Sequence, residues 1–299
     1  MDTLPGGLTM DAVTLRVGDL ELMSDYYTNS LRLAPLEEKT VGREVRRVLG
    51  RGNTPLVRLV HTPDLPTLNP SDAGLYHTAF LFDTAEDLAA AVYHSARTEG
   101  SQFVGSSDHL VSEAFYFTDP EGNGIELYKD RPRAEWDYAD GGQVAMATYY
   151  LDPNQYLSQH LTEDALNRAA ERAGSVGHVH LQVGDVARAG KFYVDSLGFE
   201  PTAWNYPGAL FASAGGYHHH VAMNTWQSRG AGPRAARLGL GDVAITVPLR
   251  EDLDALIVRL NRDDLQFADQ GDAVVVRDPW GTQVTLALPG TTAERALSR

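Results

Sequence analysis

The sequence predicts an α+β protein of four βαβββ modules, paired into two cup-shaped half-barrel domains. Three observations carry that expectation. The chain repeats itself at an offset of 166 residues, a second repeat appears at an offset of 159, and four segments open as an alternating strand running into a helical stretch. In the first repeat Val13-Thr14-Leu15-Arg16-Val17-Gly18-Asp19 falls on Val179-His180-Leu181-Gln182-Val183-Gly184-Asp185, and the match continues through Tyr27/Tyr193, Ser30/Ser196 and Leu31/Leu197. In the second, Asp119-Pro120-Glu121-Gly122 falls on Asp278-Pro279-Trp280-Gly281.

Each module is read in turn. The first opens at Val13–Val17, continues into a helical stretch at Leu20–Ser30, and is followed by β-rich runs at Val45–Leu49 and Leu56–Val60. The second opens at His77–Phe82, with a helix predicted over Ala85–Arg97 and runs at Ala114–Phe117 and Gly124–Tyr128. The third opens at Val179, with a helix predicted over Val186–Ser196 and runs at Ala209–Ala212 and His219–Met223. The fourth opens at Asp242–Val247, with a helix predicted over Glu251–Leu260 and runs at Ala273–Val276 and Gln283–Leu286. A unit of this size leaves one sheet face bare, so units must pair. We therefore expect a first pair of modules over 8–130, a connector over 131–175 with one helix at its polar stretch 163–173, and a second pair over 176–290.

Composition bounds the function. A chain of 299 residues suits about two domains of roughly 150 residues each. With no Cys there is no disulfide framework and no thiolate metal site, which fits a reducing compartment. The 25 Lys and Arg against 40 Asp and Glu give a net charge of −15, which repels phosphate backbones and anionic lipid. No run is long and apolar enough for a membrane span, and the N-terminal residues lack the pattern of a secretory signal. The expectation is a cytoplasmic protein that binds neither nucleic acid nor membrane; whether it forms a homo-oligomer is left open.

Duplicated copies act as internal controls for chemistry. At the first residue of the opening strand the four modules carry Ala12, His77, His178 and Asp242; on the closing strand Glu126 of module two becomes Thr285 in module four, and module one carries Arg58. His77, His178 and Glu126 supply two imidazoles and one carboxylate, the donor set of a facial triad for non-haem Fe(II), and one that Mn(II) also accepts. Asp119-Pro120-Glu121-Gly122 recurs in a module without these ligands, so it is read as a turn that serves geometry. Trp204, Tyr206, Phe211 and Trp226 are candidates to line an aryl pocket but are left unassigned.

The stretch from His77 to Tyr128, with His109-Leu110-Val111-Ser112-Glu113-Ala114-Phe115-Tyr116 and Gly124-Ile125-Glu126, resembles the metal-binding module of type I extradiol ring-cleavage dioxygenases (catechol 2,3-dioxygenase-like) of the vicinal oxygen chelate superfamily, whose fold is glyoxalase-like. The resemblance implies that Glu126 is an Fe(II) ligand and that Tyr116 and His109 donate hydrogen bonds to iron-bound oxygens, although the interval between these two is shorter than in the better-known members. Strand parity puts His178 and His180 on one face and does not choose between them; aligning His178 with His77 makes His178 the ligand and His180 a flanking or rim residue. In Tyr217-His218-His219-His220, alternation sends His219 opposite to its two neighbours, and a similar family run identifies His219 as the acid–base residue; roles for His218 and His220 stay open. The module order looks permuted, so a single metal cup requires module two to face module three, leaving modules one and four to form a silent cup.

The function implied is aromatic hydrocarbon catabolism: an Fe(II)-dependent extradiol dioxygenase opening a catechol-type substrate with O2. Two rivals share the fold. One is a metal-dependent glyoxalase-like isomerase or transferase, against which Tyr116 and His219 stand; the other is a non-enzymatic aromatic-ligand-binding resistance protein, against which the triad stands.

Overall fold

The computed structural model describes residues 3–139, 142–172, 174–203 and 206–298; Trp204, and residues 140, 141 and 173 of the connector, lie outside the described residues. Module one comprises β1 (Thr9–Met10), β2 (Val13–Val17), α1 (Leu20–Ser30), β3 (Ala34–Val41), β4 (Glu44–Arg51) and β5 (Thr54–His61). Module two comprises β6 (Gly74–Phe82), α2 (Ala85–Ser95), β7 (Gln102–Asp108), β8 (Ser112–Thr118) and β9 (Gly124–Asp130). Among its described residues the connector holds a 3-10 turn at Arg133–Glu135, β10 (Tyr149–Tyr150) and two short α-helices, α3 (Pro153–His160) and α4 (Glu163–Arg168), where one helix was expected. Asp152 and Thr162 each cap one of them, accepting first-turn N–H groups, which splits the segment.

Module three comprises β11 (Gly174–Gln182), α5 (Val186–Gly190) continued by a π-helical turn at Lys191–Ser196, then β12 (Glu200–Ala203), β13 (Ala209–Ser213) and β14 (Val221–Asn224). Module four comprises β15 (Gly239–Thr246), α6 (Arg250–Arg262), β16 (Phe267–Asp269), β17 (Ala273–Arg277) and β18 (Gln283–Ala287), with α7 (Ala293–Ser298) after it. The repeated Gly-Asp has a local reason: Asp19 and Asp185 cap α1 and α5 by accepting from Leu22 and Arg188 N–H, as Thr84 does for α2 from Asp87 N–H.

The strands form two nine-stranded sheets. One runs β16-β17-β18-β15-β2-β5-β4-β3, with β1 on β15, and contains modules one and four; the other runs β10-β7-β8-β9-β6-β11-β14-β13-β12 and contains modules two and three. Each has the same centre, two antiparallel opening strands (β2 with β15, β6 with β11), each flanked on its outer side by its own module's last strand in parallel. Among the described residues neither sheet closes into a barrel. One continuous apolar core, including Leu15, Phe80, Leu181 and Ile245, joins the two sheets and their helices.

The second repeat is explained by this joint. Tyr27 O–H donates to Asp119 Oδ2 at 3.0 Å, and Tyr193 O–H to Asp278 Oδ2 at 3.2 Å, so each duplicated tyrosine binds the duplicated turn of the following module across the sheet boundary.

Candidate active site

The site is one row across four strands. Register places Tyr116 of β8 beside Glu126 of β9, Glu126 beside Ala79 of β6, and Ala79 beside His178 of β11. In-register neighbours project to the same face. The small side chain at Ala79, fully buried, leaves the space over which the Glu126 carboxylate and the His178 imidazole meet. His77 stands two residues before Ala79 on the same face.

His77 Nε2 and His178 Nε2 approach the same oxygen, Glu126 Oε2, at 2.9 and 3.1 Å. The three ligand atoms lie within 4.8 Å of one another, and all three residues are buried. His77 Nε2 is buried with no hydrogen-bond partner despite its nearness to the carboxylate, so it is not aligned on that oxygen as a donor. An orphaned imidazole nitrogen converging with a second imidazole and a carboxylate is the arrangement of a divalent-metal site, and this N,N,O donor set without thiolate fits a first-row metal.

The charge states agree with that fit. Burial pushes the His178 imidazole down to about 4, against the pull of the Glu126 carboxylate. Burial alone would raise the Glu126 carboxyl, but His178 and His77 outweigh it and hold the group well below the usual carboxylate range. At neutral pH both are deprotonated, as ligands must be.

His178 reaches this position through Gly177. A Cβ at Gly177 would lie 1.8 Å from the Tyr128 hydroxyl, so only glycine lets Tyr128 tuck beneath the strand, where its ring sits 4.8 Å from that of His178. The ladder slips at this residue, between Val176 and His178.

His219 precedes β14 in a non-strand segment, and the expected alternation fails there. His218 and His219 meet through their Nδ1 atoms at 2.8 Å, while His220 turns away to accept Ala214 N–H at 3.3 Å. Asp130 Oδ1 accepts from His218 Nε2 at 2.9 Å. In neutral His218 the Nδ1 is therefore an acceptor, His219 Nδ1–H donates to it, and His219 Nε2 is left with a free lone pair. The His219 ring lies 4.0 Å from that of His178. Burial, then His178 and His218, hold His219 well below its usual value, so it is neutral at pH 7. His178, His218 and His219 also bring three nitrogens within 4.8 Å, but this group lacks a carboxylate and His218 is engaged by Asp130.

His109 reaches Tyr116 in spite of the short interval: Nε2 lies 2.7 Å from the Tyr116 hydroxyl, and Nδ1–H donates to Ala147 O at 2.7 Å. Burial, then the nearby Glu126 carboxylate, pushes the Tyr116 phenol well above its usual value, so it stays a hydroxyl. His180, read as a flanking or rim residue, is 3% exposed on the wall of the cup.

These groups border a cavity of about 560 Å³ whose wall includes His77, Glu126, Tyr116, His109, His180 and His219. Tyr206, Phe211 and Trp226 line it too, together with Tyr76, which the sequence reading did not single out. The corresponding row in the other sheet is Arg58–Thr14–Asp242. There Arg58 Nε donates to Thr14 Oγ1, Thr285 O–H to Asp242, and Arg58 also holds the Ala296 carbonyl of α7. A guanidinium in the place of Glu126 cannot ligate a cation.

Paired half-barrel cups, one of them holding a His–His–Glu cluster that could bind a metal, define the class by fold, and comparison with known proteins gives the family. The model of the Glyoxalase/Bleomycin resistance protein/Dioxygenase superfamily matches residues 9–127 and 175–286, and the chain belongs to that superfamily. Catechol-2,3-dioxygenase of Bacillus subtilis (strain 168) is 34% identical over 269 residues, covering 89% of this chain and 92% of that protein. Biphenyl-2,3-diol 1,2-dioxygenase 2 of Rhodococcus globerulus is 32% identical over 119 residues, covering 40% of this chain and 60% of that protein. Among solved structures, glyoxalase I from Zea mays superposes with a TM-score of 0.58 at 17% identity over 98% of this chain and 95% of that one, a likeness of fold. No helix among the described residues is long and apolar enough to cross a membrane.

Proposed function

We propose that the chain is an Fe(II)-dependent extradiol dioxygenase of the cytoplasm, cleaving a catecholic ring with O2, with His77, His178 and Glu126 holding the metal. The observation that carries the reading is the buried His77–Glu126–His178 cluster opening onto an aromatic-walled cavity. The likeness to a catechol-2,3-dioxygenase over 89% of this chain and 92% of that protein supports it. When bound, the metal supplies a shared coordination sphere for diol and O2; Mn(II) suits the same donors.

The chain's own residues do the rest. His219 Nε2 carries the lone pair that takes a proton from the diol, and the Asp130–His218 pair holds its ring in that tautomer. The proton taken up leaves His219 as an imidazolium, able to return it later as an acid. Tyr116 keeps its hydroxyl proton and is fixed by His109, which Ala147 O in turn orients. Tyr76, Phe211 and Trp226 supply the apolar wall against which the ring would lie.

The test is anaerobic loading with Fe(II), followed by oxygen uptake with a panel of catechols. Stoichiometric uptake with appearance of a yellow ring-opened product is expected. Metal binding without oxygen uptake would favour the isomerase reading, and catechol binding by metal-free protein at undiminished affinity would favour a ligand-binding module.

A further inference from the structure

One buried polar group in the cup is left unused by the diol reading. His180 stands on β11 two residues beyond His178, in register with His77, and lines the cavity. Its ring centroid is 5.0 Å from that of Tyr76, 5.5 Å from Trp226 and 5.7 Å from Phe211. It therefore sits between the candidate ligand His77, whose ring centroid is 5.0 Å away, and the aromatic wall, beside the place that the proposed function gives to the diol.

Two hydrogen bonds decide which nitrogen of His180 carries the proton. Asn224 Oδ1 accepts the backbone N–H of Trp226 at 3.1 Å, which turns the amide so that Nδ2 faces His180 Nε2 at 3.0 Å. An amide nitrogen only donates, so Nε2 must offer its lone pair and the ring proton must sit on Nδ1. That Nδ1–H has no hydrogen-bond partner among the described residues, although the residue is 3% exposed. The atom is not one of the buried unpartnered ones, so it opens onto the cavity that His180 lines, where an acceptor on a bound molecule can meet it.

We propose that His180 is a substrate-recognition residue whose Nδ1–H donates to an acceptor oxygen carried on the ring beside the diol. The preferred substrate is then a catechol with an ether, carbonyl or carboxylate oxygen at that position, chosen over its alkyl counterpart. The proposal rests on the diol reading of the same site.

The experiment compares two nearly isosteric ligands, 3-methoxycatechol and 3-ethylcatechol, bound anaerobically to the Fe(II)-loaded protein, and reads the ratio of dissociation constants. About a tenfold preference for the methoxy compound is expected, the worth of one good hydrogen bond. His180→Phe should bring the ratio to one, and His180→Gln, which keeps an N–H donor, should retain part of it. Nitrogen-15 NMR of the metal-free wild type reads the tautomer without any variant, and a proton on Nδ1 is expected. A proton on Nε2, equal affinities in the wild type, or a preference that survives His180→Phe would overturn the proposal. Catechol binding without preference would leave the diol reading standing; failure of both ligands to bind would end both.

Discussion

Glu126 holds the centre of the site, because both imidazoles address the same one of its oxygens. Glu126→Gln should abolish oxygen uptake and most metal binding while the fold persists, since apolar strand faces hold the cup; elemental analysis of the purified variant checks this, and full occupancy would contradict it. His219→Asn should keep the metal but lower turnover by about 100-fold or more, as for other positioned acid–base groups. Steady-state kinetics beside metal content separates these outcomes, because metal loss would make His219 a ligand. His220 gives a pH prediction. Burial, then His218, lowers its imidazole from 6.5 to about 3, so the unfolded chain binds its proton first as pH falls. Its contribution to stability is whole above pH 6.5 and is lost progressively towards pH 3. The stability advantage of wild type over His220→Gln should therefore shrink between pH 7 and pH 4 in thermal unfolding; a constant difference would refute it. The candidate ligands could be read from the sequence because modules one and four show what the same positions look like without them. The tautomers of His180 and His219 could not, since they depend on Asn224, Trp226, Asp130 and His218, whose side chains meet only in the fold.

The elements that position the site are strands whose register matters more than their composition. Ala79 and Gly177 carry no chemistry and drew no notice in the sequence, yet one leaves room for the candidate ligands to meet and the other for Tyr128 to lie under His178. Gly177→Ala should weaken metal binding by at least tenfold and lower the thermal midpoint, because the new methyl displaces Tyr128 from its hydrogen bond to Tyr217. Gly177→Ala with Tyr128→Phe should recover part of both; titration calorimetry with the metal and unfolding curves read it, and a silent Gly177→Ala would show that the close approach is dispensable. Opening strands and their helices were clear from hydrophobic period, and α1 falls where it was expected. The first strand after each helix was not located. In β3, for example, Ala34–Val41 is almost wholly exposed, so no buried face imposes an alternation.

At the scale of the whole molecule the duplication explains both the cup that has a site and the cup that does not. Modules two and three share one sheet although a connector separates them, and modules one and four, at opposite ends of the chain, share the other. The Tyr27–Asp119 and Tyr193–Asp278 bonds tie the sheets together at equivalent places. In the second sheet Arg58, Thr14, Asp242 and Thr285 satisfy one another, and α7 packs against β3, β4 and β5. The central claim is that one metal-dependent cup lies between modules two and three, and anomalous diffraction from crystals of Fe(II)-loaded protein tests it most directly. A single iron peak bounded by His77, Glu126 and His178, unchanged in Thr285→Ala, is the result expected; iron beside Arg58 and Asp242, or no peak among the two histidines and Glu126, would contradict it.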